Sequence, residues 1–116
     1  MRLGDLKQEV MRINNRVNQE VFGTGLVWQR VEVVGPRVLV ILAENRRLKA
    51  LSTLNGAEEL TARLTDIALL RQYKERLRRQ LEEGLGVSVR AVLKDYDGEA
   101  QLAGTVVFLD TSLTVE

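Results

Sequence analysis

The chain of 116 residues has no cysteine, no histidine, a single proline and few aromatics: one tryptophan, two tyrosines and two phenylalanines. Each absence removes a chemistry. Without Cys there is no disulfide framework and no thiolate metal site. Without His there is no Ser-His or Cys-His nucleophilic pair, and most zinc sites are excluded. RNA modules that stack bases place two or three aromatics on a sheet, so the shortage of rings weakens that reading. Charge of either sign is also not in excess. Seventeen basic residues against sixteen acidic ones give +1, which predicts no general attraction to phosphate backbones. Long apolar runs are missing too. The longest, residues 38–43, is far short of the roughly twenty residues a membrane helix needs. The opening Met1-Arg2-Leu3-Gly4-Asp5 leads into Lys7, Glu9 and Arg12 rather than an apolar signal core. A soluble cytoplasmic protein, not transmembrane, is expected.

What is present is patterned. Leu3, Leu6, Val10, Ile13, Val17 and Val21 are spaced by three or four, the stripe of an amphipathic helix. Gly23 is placed to cap it. From Leu26 the period changes to two, with Val27, Val31 and Val33 on one side and Trp28, Arg30 and Glu32 on the other. Gly35-Pro36 marks a turn, and Val38-Leu39-Val40-Ile41-Leu42 reads as a strand covered on both faces or central in a sheet. Glu44 to Lys49 starts an irregular or short helical stretch. Asn55 would cap a second helix, in which Leu60, Leu64, Ile67, Leu70, Tyr73, Leu77 and Leu81 keep close to the helical period. Arg71/Glu75, Glu75/Arg79, Arg78/Glu82 and Arg79/Glu83 are i,i+4 pairs on its outer side.

Gly84-Leu85-Gly86 ends that helix. Val87, Val89, Ala91 and Leu93 then alternate with Ser88, Arg90 and Lys94, and Asp97-Gly98 signals a two-residue hairpin. In the last strand Leu102, Val106 and Phe108 face one way, and Ala103, Thr105, Val107 and Leu109 the other. Residues 111–116 form a tail expected to fray. The fold class is α+β: one domain over 1–116, a two-layer sandwich of order α-β-β-(α)-α-β-β. Its four-stranded, largely antiparallel sheet carries two main helices on one face. Gly-X-Gly after both helices suggests an architectural repeat.

Motifs that carry chemistry are scarce. Gly23-Thr24-Gly25 lies between a helix and a strand, the reverse of a dinucleotide-binding turn. Asp95, Asp97 and Glu99 resemble the start of a calcium loop, but position twelve is Val106 where a bidentate Glu is required. No pair of acids stands out for carboxylate catalysis, so no enzymatic activity, cofactor or metal is expected. The basic cluster Arg46, Arg47 and Lys49, with Arg71 on the long helix, is a candidate surface for anions. Trp28, the only tryptophan, and Arg30 lie on the outward side of their strand as assigned. Tryptophan is enriched at interface hot spots, although a one-residue register shift would place Trp28 in the core.

Several segments resemble a small bacterial family. They are Phe22-Gly23-Thr24-Gly25 ahead of Val31-Glu32-Val33-Val34, the Arg-rich helix Leu70-Arg71-Gln72-Tyr73-Lys74-Glu75-Arg76-Leu77, and residues 86–97 ending at Val106-Val107-Phe108-Leu109. The family is named for the MpsC subunit of sodium-translocating, membrane-potential-generating systems. The resemblance implies a small cytoplasmic protein tied to a membrane ion or bicarbonate system, and it supplies no catalytic residues. The expectation is therefore a non-enzymatic interaction module, a homodimer with a further protein partner. A nucleic-acid or anionic-surface binder is the weaker alternative. A small-ligand binder or carboxylate enzyme is the weakest.

Overall fold

The computed structural model describes residues 1–46 and 56–116, with only the backbone of 56–59 and 61–63. The first stripe forms helix α1, Leu3–Phe22. It stops where Gly23 takes a left-handed φ of 79° and its N–H bonds to Gln19 O at 3.0 Å, a conformation that costs glycine little. Strands β1 (Trp28–Val34) and β2 (Val38–Glu44) follow. Then come helix α2 (Gly56–Leu85) and strands β3 (Val89–Asp97) and β4 (Leu102–Leu109). All neighbours in the sheet are antiparallel, in the order β1-β2-β4-β3. This is the two-layer α+β architecture expected, with β2 central.

Both helices cover one face of the sheet. Leu6, Val10, Ile13 and Val17 of α1 and Tyr73, Leu77 and Leu81 of α2 are buried against Val31, Leu39, Ile41, Val92 and Val107. The helices meet closely at Gly84, where a Cβ would stand 2.9 Å from Ile13 Cδ1. Gly84 thus serves packing inside α2, whereas Gly86, at φ 66°, follows the helix and bonds to Glu82 O. The two Gly-X-Gly tripeptides do different work.

Four expectations change. The stripe of α2 is buried only in its second half, and Leu60, Leu64 and Ile67 are each more than half exposed. Thirty residues at about 1.5 Å each outrun a nine-residue strand at about 3.3 Å each, so the first turns overhang the sheet. None of the four i,i+4 pairs on α2 closes to an ion pair. The polar side chains reach neighbouring elements instead, with Arg76 to Glu20 at 3.5 Å, Gln80 to Glu20 at 2.7 Å and Arg78 to Arg90 O at 3.3 Å. The turn after Asp97 spans residues 98–101 rather than two, closed by Ala100 N–H on Asp97 Oδ1 at 3.0 Å.

The fourth change has the largest consequence. Between Val89 and Ala91 the pairing of β3 with β4 slips by one residue, a β-bulge. Val89 and Val92 therefore both face the core. Beyond the bulge, Lys94 points inward and Leu93 outward, the opposite of a continuous alternation.

The tail has neither helix nor strand but is tethered. Leu113 N–H bonds to Pro36 O at 2.7 Å, and Glu116 N–H to Met1 O at 3.0 Å. The short helical stretch expected after Glu44 lies mostly outside the described residues. Glu44 itself ends β2, and Asn45 is buried.

Candidate interaction face

The outward side of the sheet is built from alternate residues of four strands. Antiparallel pairing sets them in four rows across β1, β2, β4 and β3: Trp28-Glu44-Leu102-Asp97, Arg30-Leu42-Gly104-Asp95, Glu32-Val40-Val106-Leu93 and Val34-Val38-Phe108-Ala91. The middle of this surface is apolar. Leu93 is 54% exposed and Trp28 48%, and Val34, Leu42, Leu102 and Phe108 are exposed as well. Soluble monomers rarely leave a contiguous apolar surface beyond a few hundred Å². Four strands about 4.8 Å apart and seven residues at about 3.3 Å give a face of roughly 19 by 23 Å.

The two edges of the face differ in charge. On the β1 edge, Arg30 Nε meets Glu32 Oε1 at 2.7 Å, and Lys7 of α1 reaches Glu32 Oε2 at 3.4 Å. The Arg30 hydrogen bond first, and Lys7 after it, hold the Glu32 carboxyl below its usual range. Two cations share one carboxylate there. On the β3 edge, Asp95 and Asp97 are exposed, so that edge is acidic.

Trp28 and Arg30 share this face, the orientation assigned from the alternation. Arg46 is exposed just after β2, while Arg47 and Lys49 lie outside the described residues. Arg71 stands in the helical layer. There Arg71, Lys74, Glu75 and Arg78 border a cleft of about 460 Å³ floored by Ile67, Leu70 and Val92. Arg71 therefore does not join Trp28 and Arg30 on the open face.

The covered side holds polar groups that the sequence did not flag. Asn14, Asn18, Asn45 and Thr105 are buried. Asn18 Nδ2 donates to Asn14 O at 2.8 Å, Asn45 Nδ2 to Asn18 Oδ1 at 3.2 Å, and Asn14 Nδ2 to Gln29 Oε1 at 3.1 Å. The Tyr73 hydroxyl donates to Asn14 Oδ1 and lies 3.3 Å from Thr105 Oγ1. Burial pushes the Tyr73 phenol upward, with the Thr105 hydrogen bond acting against it. Lys94 Nζ sits 3.5 Å from the centre of the Tyr73 ring and 5.3 Å from that of Phe22. Desolvation brings its amine down to about 7, and the ring face partly offsets this by favouring the cation. One available signal was the helical position of Asn14 and Asn18, one turn on from Val10 and Asn14 respectively.

Among the described residues no group of three or more acids could hold a metal ion, and no helix is long and apolar enough to cross a membrane. No family model, curated protein or solved structure matches the chain.

Proposed function

We propose that the chain is a non-enzymatic protein-interaction module that acts as a homodimer, with the open face of the sheet as its contact surface. The observation that carries this reading is the set of outward Val, Leu and Phe side chains on all four strands, left uncovered by the described residues. Two such faces together bury about 870 Å², the size of a weak interface that dissociates readily. Isologous pairing through one patch is the commonest route to a dimer. The family resemblance adds a setting, that of a cytoplasmic accessory to a membrane ion or bicarbonate system.

Sedimentation velocity at 1–100 μM tests the proposal, with a dimer that dissociates on dilution as the expected result. Leu93→Glu places a charge in the patch and shifts the protein to monomer while leaving its thermal unfolding nearly unchanged. A wild-type chain that stays monomeric throughout that range overturns the reading.

A second reading draws on Arg71, Lys74 and Arg78 above the apolar floor of the cleft, an arrangement suited to anionic surfaces. It expects a salt-sensitive affinity for a polyanion that is lost on reversing Arg71 and Arg78. Absence of binding at low salt removes it.

A further inference from the structure

The second row of the open face runs Arg30, Leu42, Gly104, Asp95 from the β1 edge to the β3 edge. In physical terms it reads cation, protruding side chain, gap, anion. Read in reverse, each member meets its complement, so the row matches a second copy of itself.

The gap is real in shape. A Cβ on Gly104 would find only the end of Leu42, at 3.9 Å, and a shallow depression there is bordered by Leu42, Leu102, Asp95 and Asp97. Gly104 has no left-handed φ, so backbone conformation does not demand glycine. Glycine inside a strand weakens it and often marks close approach by another group. The charges are available as well. Arg30 gives Nε to Glu32, and the remaining guanidinium donors stay open to a second carboxylate.

Face-to-face sheets keep their strands within about 30° of one another. Two dyads in the contact plane satisfy this. A dyad parallel to the strands lays β1 over β3 and β2 over β4 of the other copy and keeps each row at its own height. Arg30 then faces Asp95, and Leu42 faces Gly104, twice by symmetry. A dyad perpendicular to the strands lays β3 over β3 and inverts the rows. It gathers Asp95 and Asp97 of both copies along one edge, sets Leu42 against Val40, and leaves Arg30 opposite Glu32, to which it is already paired within its own chain. Like charges brought together across an interface are costly, and Leu42 loses the gap at Gly104.

We infer that two copies pack sheet to sheet about a dyad parallel to the strands, with Arg30 of each opposite Asp95 of the other and Leu42 of each over Gly104 of the other. This rests on the self-association proposed above and adds its orientation.

Charge exchange measured by sedimentation tests the orientation. Arg30→Asp and Asp95→Arg each weaken the dimer about tenfold, and the double variant returns to near wild-type affinity. Gly104→Leu weakens it too, with recovery when Leu42→Ala is added. The sign of the Asp95→Arg effect is decisive, because the perpendicular dyad predicts tighter association through relief of repulsion. Tighter association, or a double variant no better than the singles, overturns the orientation. If Leu93→Glu still dissociates the dimer in that case, the face itself stands as the contact. A monomeric wild type overturns both.

Discussion

The two faces of this sheet are made from the same strands, yet each carries some of what the other would be expected to have. Under the helices lie Thr105, Lys94, Tyr73 and three asparagines. On the open side stand valines, leucines and Phe108. The difference teaches that cover, not apolarity, defines the core here. The asparagines, Tyr73 and Thr105 are tolerated there because they bond to one another, and an unmet buried donor or acceptor costs about 1–3 kcal/mol. Apolar groups on the open side remain unsatisfied in the opposite sense, since none of the described residues shields them from water.

Substitutions can break or sharpen this contrast. Leu39 and Leu42 lie on the same strand, one on each face, at 0% and 40% exposure. Leu39→Ala opens a cavity beneath both helices and destabilises the fold by about 2–5 kcal/mol in urea unfolding. A loss below 1 kcal/mol would mean that the covered side is not the core.

Lys94 gives the covered face a pH dependence. Its amine sits at about 7 in the folded chain, below the ordinary 10.5 that applies when unfolded. Between these values the unfolded chain binds more protons, so stability rises with pH. The melting temperature of the wild type increases from pH 7 to pH 9, and Lys94→Met flattens that increase and raises the melting temperature most at pH 6. A flat wild-type profile over this window would sink the assignment.

Tyr73→Phe strips one hydroxyl from the network and leaves Asn14 Oδ1 with Asn18 Nδ2, at 3.2 Å, as its remaining donor, at a cost of about 0.5–1.5 kcal/mol. Thermal unfolding measures it, and a neutral result would show that the Asn18 amide alone satisfies Asn14 Oδ1. The smallest effect on folding belongs to the open face. Leu42→Ala changes the stability of the isolated protomer by less than about 0.5 kcal/mol and registers instead in self-association. An effect as large as that of Leu39→Ala would erase the distinction between the faces.

Much of the architecture was legible because each element has a local cause. The stripe from Leu6 to Val17, the glycine at position 23 and the alternation from Ala103 to Leu109 all depend on backbone period and turn chemistry, which act within a few residues. Trp28 and Arg30 on the outward side of β1 followed from the same alternation. The inward turn of Lys94 did not, because one extra residue at the bulge reverses every side chain after it, and only pairing with β4 shows the slip. Exposure of Leu60, Leu64 and Ile67 was equally hidden, since it depends on how far α2 outruns the sheet. The Asn14-Tyr73-Thr105 group joins positions far apart in the chain, and no local spacing announces it.

The absences noted first, of histidine, cysteine and long apolar runs, are properties of sequence alone and restrict the chemistry however the chain folds. The order of helices and strands is likewise local and follows from periodicity. Tertiary structure alone decided which side of the sheet the helices cover, and hence that Leu42, Gly104 and their neighbours face outward as a surface. Periodicity sorts residues onto two faces, but burial depends on what packs against each face, and that is settled only when distant elements meet.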